Sequence, residues 1–356
     1  MKIACLQNIV PHYREEFFEG IKQYYDFNVY LYGESAGKDF QKGFLETKTV
    51  KTWTFGKLLF FDFKKIINDG NQCIIFPFQA KTTLSCLCLI LLCKLYGIKV
   101  ILWGHGISIF RYLKEEKKEN LLLKLQLKYS DGCWLYMKKE KEQWSKIFPK
   151  KTIIALNNTI TGADQLMIRT PNNKNELKNK YGICERLAVI YCARCTKERR
   201  FDLLIETIKL LKDEDIAFII IGAGDCKPDF SSYKHVYDYG AVYDKSLKDD
   251  LFDISDVYFQ PGWVGLSIVE AMLYGKPVLT FKRTNLIYQC VEYSYIENNI
   301  NGQIVESVYE AGEWIKSLND DQLDRIIQST KKYAQKNLSM KNMVNNAVSV
   351  ISQFNK

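Results

Sequence analysis

Residues Pro261–Val278 have the sequence PGWVGLSIVEAMLYGKPV, and this stretch decides the fold of the chain. A Pro-Gly turn and a second glycine lead into a short apolar helix that carries one acidic residue, Glu270. The helical pattern ends at Gly275, and Pro277 opens a strand-like run over 278–280. A loop, a helix and a strand in this order are typical of parallel α/β domains.

The loop before this helix predicts an anion site. Unpaired N–H groups and the helix dipole converge at a helix N-terminus and favour negative charge there. A carboxylate about one turn inside the helix can accept hydrogen bonds from two hydroxyl groups, as a ribose offers. We therefore predict a sugar-nucleotide site made by Gly262, Trp263, Val264, Gly265, Leu266 and Glu270. The alternative is an ordinary crossover whose glutamate is solvated.

Short strand-like runs alternate with helical patterns along the whole chain, which indicates parallel α/β units. The polar stretch 161–179 interrupts the alternation and predicts a linker and the start of a second domain, and 322–354 has a helical pattern. At 356 residues the chain is long enough for two domains with separate cores. The expected division is 1–165, 166–330 and a last helical segment 331–356.

Other candidate residues of the second half follow predicted strands. Ligands of open α/β sheets bind beyond the carboxyl ends of strands. A basic loop with Arg194 and Arg199 follows the strand predicted over 187–192, and a Gly-x-Gly turn at Gly222 follows the next one. That turn lacks the third glycine of a dinucleotide-binding loop, so a dehydrogenase is rejected. The turn with Gly240, Ala241 and Val242 follows the strand predicted over 236–239.

Charge and cysteine spacing limit the possible partners and compartment. Residues 1–160 hold 25 Lys and Arg against 15 Asp and Glu, a net charge of +10, whereas the remainder carries −1 of the total of +9. This asymmetry suggests an anionic partner or membrane surface for the first half, or only a solvated lysine-rich face. No nucleic-acid module accompanies the lysines, so no nucleic acid is expected.

Cysteine spacing bears on the compartment. Several cysteines sit in apolar runs as buried thiols do, among them Cys86, Cys88 and Cys93. No signal peptide is evident, so a cytoplasmic location is expected.

Several of these segments together resemble the retaining glycosyltransferases of family 4, which have the two-domain GT-B fold. Those enzymes show two glutamates separated by seven residues, and Glu270-Ala271-Met272 followed by Gly275-Lys276-Pro277-Val278 matches the second half of that signature. Gly262 stands where the first glutamate is expected, which puts a contact to the donor sugar in doubt. The resemblance implies two Rossmann-like parallel-sheet domains facing a cleft, with the C-terminal helix crossing back to the first domain.

The resemblance also implies roles for single residues. Arg194 and Arg199 match the two cations that clamp the donor diphosphate, Gly222 shapes the pocket, and 240–242 meets the nucleotide base. In the first domain, His105 stands between two glycines after a predicted strand and matches a histidine that faces the transferred sugar. His12 and Arg14, after the first strand, are candidates for acceptor contact, or a plain helix start.

The activity implied is transfer of a hexose-type sugar, with retention, from a nucleotide-sugar donor to a saccharide or polyprenyl-linked saccharide acceptor. Bacterial surface polysaccharide synthesis is the expected context, with possible peripheral attachment at the inner membrane face. No cofactor and no metal are expected. Two alternatives stay open: a GT-B relative that epimerises or hydrolyses a nucleotide sugar, and a catalytically silent homologue that binds one or scaffolds an assembly complex.

Overall fold

A computed structural model describes residues 1–32, 47–56 and 58–354, and it divides the chain into two compact units. The first unit combines Met1–Gly162 with Met340–Lys356, and the second is Ala163–Ser339. Each unit contains a parallel sheet with helices around it, so the expected α/β fold class is confirmed.

The sheet of the first unit has seven strands within the described residues, in the order β3-β2-β1-β6-β7-β8-β9, and all its pairs are parallel. Two further strands, β4 and β5, form an antiparallel hairpin beside it. The strands are β1 Lys2–Gln7, β2 Asp26–Tyr32, β3 Thr47–Val50, β4 Thr52–Phe55, β5 Leu58–Phe61, β6 Cys73–Pro77, β7 Lys99–Gly104, β8 Gly132–Leu135 and β9 Thr152–Ala155.

Helices cover both faces of this first sheet and bury a separate apolar cluster on each. They are α1 Glu15–Lys22, α2 Lys64–Asn68, α3 Thr83–Leu95, α4 Tyr112–Glu115, α5 Leu121–Tyr129 and α6 Lys138–Ile147, with α14 Met340–Ser352 from the end of the chain. The last helix packs on α1, where Gly20 leaves room for Val344: a Cβ at position 20 would lie 2.6 Å from a Val344 methyl. The apolar side chains of α14 are therefore part of the core of the first unit.

The sheet of the second unit has six parallel strands among the described residues, in the order β12-β11-β10-β13-β14-β15. The strands are β10 Leu187–Cys192, β11 Ile216–Ile221, β12 Val236–Asp238, β13 Val257–Phe259, β14 Val278–Phe281 and β15 Gly302–Val305. Its helices are α7 Ala163–Ile168, α8 Lys174–Tyr181, α9 Phe201–Leu210, α10 Lys245–Ile254, α11 Leu266–Leu273, α12 Val308–Ser317 and α13 Asp320–Asn337.

Two segments differ from the sequence-based expectation. The stretch 161–179, predicted as a linker and the start of the second domain, does begin the second unit at Ala163, but it contains α7 and most of α8. It is tied to α10 by an ion pair between Arg169 and Asp253 and by a hydrogen bond from Asn172 Nδ2 to Asp250 Oδ1 (2.9 Å). The helical pattern over 322–354 is two helices rather than one. Residues 331–339 lie in the second unit, and only the last helix belongs to the first.

The apolar run 84–93, expected to form a buried helix, is the middle of α3, and only one face of it is buried. Leu84, Cys88 and Leu91 are exposed, so the expectation of a buried Cys88 thiol is wrong. No helix within the described residues combines the length and the apolar content that crossing a bilayer requires.

Candidate functional site

The candidate site of the second unit lies where four neighbouring strands end. Strands β12, β11, β10 and β13 are adjacent and parallel, so the loops that follow them leave the same edge of the sheet. These loops carry the residues that the sequence singled out: 193–200 after β10, 222–224 after β11, 239–244 after β12 and 260–265 after β13. Carboxyl ends of parallel strands are where ligands of open α/β sheets bind.

Two fully buried glutamine side chains hold the loop Pro261–Gly265 in place. The amide of Gln260 donates to the carbonyls of Gly262 (2.9 Å) and Trp263 (2.8 Å), and its oxygen accepts from Ser267 Oγ (2.8 Å). Gln289 Oε1 accepts from the Val264 N–H at 2.9 Å. Trp263 adopts a positive φ of 51°, a conformation that costs a non-glycine residue energy and that this bonding maintains. The loop is therefore rigid before any ligand binds.

The backbone N–H groups at the start of α11 are only partly available. Val264 donates to Gln289, so its amide is already bonded within the protein. The amides of Gly265, Leu266 and Ser267 have no acceptor among the described residues, and no side chain caps the helix. Three N–H groups that point out of a helix N-terminus form a place for a phosphate-like group.

Glu270 lies one turn further along α11 and is paired with a cation from another helix. Lys248 Nζ of α10 donates to Glu270 Oε1 at 2.5 Å, and both side chains are about three-quarters buried. Burial acts to lower the pKa of Lys248, but the Glu270 carboxylate outweighs it and the pKa stands above its usual value. Glu270 is thus oriented by Lys248, and its second oxygen has no hydrogen bond within the described part of the chain.

Arg199 joins the basic loop to the loop of Trp263. Its Nη1 donates to the Trp263 carbonyl at 2.6 Å, and its own carbonyl accepts from the Gly262 N–H at 3.2 Å. Its Nε is buried without a hydrogen-bond partner in the described residues. The charges of Arg199 and Glu270 both act on the buried hydroxyl of Tyr258, whose pKa burial raises, so the two groups flank one tyrosine.

Gly262 cannot be replaced by the glutamate of the family signature without moving the basic loop. A Cβ at position 262 would lie 2.4 Å from the carbonyl oxygen of Glu198 and 3.0 Å from Cγ of Arg200. Arg200 itself has a left-handed backbone (φ 57°) and is held by Asp202. The departure from the signature is therefore built into the packing of two loops and is not a simple loss of one side chain.

No hydrogen bond or ion pair within the described residues joins Arg194 to Arg199 or to Glu270. Its side chain is exposed and makes no hydrogen bond or ion pair with a described residue, while its carbonyl accepts from the Tyr191 hydroxyl at 3.1 Å. The guanidinium is therefore exposed at the rim of the same sheet edge, and its role as a phosphate clamp stays a prediction.

The Gly-x-Gly turn serves the packing of the basic loop. A Cβ at Gly222 would lie 2.1 Å from the Ala193 carbonyl, and one at Gly224 would lie 2.3 Å from the Cys195 carbonyl. The Gly222 N–H donates to the Gly240 carbonyl at 2.7 Å, which joins this turn to the one after β12. Ala241 and Val242 follow there and are at least partly exposed, so their backbone is open to a ligand.

Cys192 at the end of β10 and Cys195 in the basic loop form a Cys-x-x-Cys pair whose thiols are unreactive. Burial raises the pKa of the Cys192 thiol to about 12, with the Glu270 charge adding to it, and burial also raises that of Cys195. A thiol that stays protonated is a poor nucleophile. Across the described residues, no three His, Cys, Asp or Glu side chains converge as metal ligands would.

In the first unit, His105 is exposed at the end of β7 with its ring centroid 4.9 Å from that of Tyr136. The glycines beside it are required by packing within the protein. A Cβ at Gly104 would lie 2.8 Å from the Phe78 carbonyl, and one at Gly106 would lie 2.7 Å from a Leu135 methyl. The two glycines therefore have a role inside the protein, which fixes the place of His105.

His12 and Arg14 separate in the structure. His12 is exposed in a short 3-10 turn, whereas Arg14 is only 6% exposed. The guanidinium of Arg14 lies 5.1–5.5 Å from the ring centroids of Tyr13, Trp103 and Tyr136, and its Nη1 contacts Sδ of Met343 on the last helix. This burial argues against the predicted acceptor contact of Arg14 and gives it a packing role.

A cavity of about 270 Å³ lies beside His105, within the first unit. Its walls include the charged side chains of Lys81 and Arg111 and the carboxylate of Glu115, which Arg111 pairs at 2.8 Å. Sequence analysis missed these residues and also Lys248, because no local pattern marks them. Lys248 could only be recognised once α10 was known to pack against α11.

Residues 173–337 match the family model of "Glycosyl transferases group 1". The chain is 30% identical over 115 residues to a glycogen synthase of Streptococcus sanguinis (strain SK36), a match that covers 29% of this chain and 24% of that protein.

Solved structures share the whole fold. The structure of Anabaena Alr3699/HepE in complex with UDP has a TM-score of 0.71 at 14% identity. The match covers 99% of this chain and 100% of the Anabaena chain. A glycosyltransferase from Rickettsia africae ESF-5 has a TM-score of 0.69 at 16% identity, covering 100% and 99%. These solved structures show the fold, with two parallel-sheet units as in GT-B proteins, and the match to the glycosyl transferases group 1 model covers residues 173–337, a little under half of the chain.

Proposed function

We propose that this protein is a retaining glycosyltransferase that moves a hexose-type sugar from a nucleotide-sugar donor to a saccharide or polyprenyl-linked saccharide. One observation carries the proposal: three unbonded amides at the start of α11 lie one turn from the oriented carboxylate of Glu270. The amides suit the diphosphate and the carboxylate suits the ribose. Arg199 supplies a cation at the same loop, where charge develops on the leaving group.

The retained configuration is part of the proposal and follows the resemblance to family 4. The leaving diphosphate would itself help to deprotonate the acceptor, so the protein needs few acid–base groups. His105 is proposed to contact the transferred sugar, and Arg194 to close on the diphosphate when the donor binds. His12 is proposed to contact the acceptor. Bacterial surface polysaccharide synthesis, at the inner membrane face, is the context that we propose.

Calorimetric titration with UDP, GDP and ADP tests the donor site, because the base is not set by the residues above. UDP is the first choice, since the Anabaena neighbour was solved with it. Wild type should bind one nucleotide, and Glu270→Gln should bind it about tenfold more weakly. Glu214→Gln, an exposed carboxylate elsewhere in the second unit, is the control and should bind normally. Unchanged affinity in Glu270→Gln would remove the ribose assignment.

Turnover of a labelled nucleotide sugar with a lipid-extract acceptor tests the transfer step, and NMR of the product anomer tests retention. An inverted anomer would contradict the retaining mechanism. A donor that is epimerised or hydrolysed at full rate without acceptor would favour the other enzyme class.

A second candidate is a silent homologue that binds a nucleotide sugar without transferring it. Gly262 favours this candidate, because the loop packing leaves no room for the signature glutamate. Nucleotide binding without turnover, across UDP-, GDP- and ADP-sugars, would support it.

A further inference from the structure

Helix α3 presents a continuous apolar stripe to solvent. Leu84, Cys88, Leu91 and Leu95 are spaced at i, i+4, i+7 and i+11, so they share one face, and all four are exposed. The exposed fraction reaches 65% for Leu91 and 76% for Leu95. The opposite face, with Cys86, Leu89 and Cys93, is fully buried in the core. A helix that is apolar on all sides is normally covered on all sides.

The two flanks of α3 are already occupied, which defines the edges of the open face. Ser85 on one flank donates to the Leu59 carbonyl of β5 at 2.5 Å, and Thr83 on the other accepts from Gln126 Nε2 of α5 at 2.7 Å. The stripe therefore lies between the β4–β5 hairpin and α5.

Both neighbours add exposed apolar side chains of their own. The hairpin exposes Trp53, Phe55 and Leu58, and α5 exposes Leu121, Leu122 and Tyr129. We call the side chains of this set together with the α3 stripe the α3 face. Scattered single apolar residues on a surface are normal, but a contiguous group of this size marks an interaction site.

The two helices of the α3 face carry charged side chains of one sign only. No Asp or Glu occurs in 70–114 or in 120–130, which include all of α3 and α5. Lys94 and Lys128 lie 5.7 and 5.2 Å from the ring centroid of Tyr129, with their amines at the border of the apolar surface. Long cationic side chains that rim leucines and an aromatic ring are the pattern of proteins that rest in the headgroup region of a bilayer.

We propose that the α3 face is a docking surface for an anionic phospholipid membrane. The leucines and aromatic rings enter the interfacial region, and the lysines contact acidic headgroups. A second copy of the chain fits less well, because a two-fold contact would bring Lys94 and Lys128 close to the same lysines of the other copy. The surface lies wholly in the first unit, so the proposal stands whether or not the donor assignment holds.

Vesicle co-sedimentation of the full chain tests the surface. Wild type should bind mixed phosphatidylcholine–phosphatidylglycerol vesicles at low salt and bind pure phosphatidylcholine much less. Leu91→Ser with Leu95→Ser should weaken binding to the mixed vesicles about tenfold. Its matched control is Ile168→Ser with Leu286→Ser, which removes equally exposed apolar residues (85% and 80%) from the second unit and should bind as wild type.

A charge variant provides a second arm that does not alter the apolar stripe. Lys94→Gln with Lys128→Gln should lose roughly tenfold in binding to mixed vesicles and most of the salt dependence. Lys209→Gln with Lys332→Gln, exposed lysines of the second unit, is its control. Thermal melting checks that each variant is folded.

Absent binding of wild type to mixed vesicles at low salt would overturn the proposal, and so would equal losses in test and control variants. Sedimentation velocity adds the remaining outcome. Suppose that wild type forms a dimer, that it does not bind vesicles, and that the variant Leu91→Ser with Leu95→Ser is monomeric. The α3 face would then be an interface between two copies, and the membrane proposal would be overturned.

Discussion

Lys248 Nζ and Glu270 Oε1 lie 2.5 Å apart, although the two residues are 22 positions apart on two successive helices. The bond takes one oxygen of the carboxylate and leaves the other for a ligand. It also pairs the carboxylate in a place that is about three-quarters buried, where an unpaired charge is costly. The lysine therefore acts as a positioning residue for the proposed ribose contact.

Replacing Lys248 by Met keeps the aliphatic stem and removes the cation. We expect the Kd for UDP to rise about tenfold, close to 1.4 kcal/mol, because the carboxylate loses its orientation. Calorimetry on Lys248→Met, Glu270→Gln and the double variant checks this. The double variant should lose less than the sum of the single losses, and strictly additive losses would contradict the coupling.

Arg199 and Arg194 should differ in what they do for stability. Arg199→Ala removes a bond to the Trp263 carbonyl and should lower both Tm and kcat, the latter about 100-fold. Arg194→Ala breaks no side-chain contact in the described residues and should lower kcat by a similar factor at an unchanged Tm. Thermal melting and initial rates measure both. Wild-type turnover in Arg194→Ala would remove that residue from the diphosphate site.

Restoring the signature glutamate should not restore a contact. Gly262→Glu, like Gly262→Ala, forces a Cβ against the Glu198 carbonyl and should cost about 2 kcal/mol of unfolding free energy. Chemical denaturation of both variants measures the loss, and donor turnover should fall or stay the same. A variant with the glutamate, an unchanged unfolding free energy and faster transfer would show that the loops adapt.

Lys276 makes stability depend on pH. Burial lowers its pKa to about 8, although its Nζ donates to the Ser255 carbonyl at 2.7 Å. Between pH 8 and the ordinary lysine value, the unfolded chain binds the proton more tightly, so the contribution to the free energy of unfolding rises with pH. Relative to Lys276→Met, wild type should gain roughly 2 kcal/mol from pH 7 to pH 10.

Denaturant titrations across that range measure the gain for Lys276. Lys209→Met, at an exposed position on α9, serves as the control and should track wild type at every pH. If the free energy of unfolding changed with pH in the same way in wild type and in Lys276→Met, the buried amine would not be the source of the pH dependence.

Much of the fold follows from local pattern. The strand that ends at Cys192 and the loop that begins at Pro261 were recognisable because apolar runs, turns and helix starts alternate with short periods. The same alternation placed Arg199 and Glu270 at one sheet edge, since parallel strands all end there.

The unpredicted features depend on contacts between distant residues. The Lys248–Glu270 pair and the closeness of Gly262 to Glu198 arise only when two loops or two helices meet. Helix α3 is apolar on every side, so its sequence does not indicate which face stays open. The break at Leu338 was hidden because the helical pattern continues across it.

At that break the chain leaves the second unit and returns to the first, which has a consequence for synthesis on the ribosome. The first unit is translated first, yet six buried side chains of its core, from Met340 to Ile351, are made last. The second unit has all its residues available before the first one does. During translation, the sheet made by the N-terminal strands must wait with one apolar surface uncovered, and chaperones have an obvious target there.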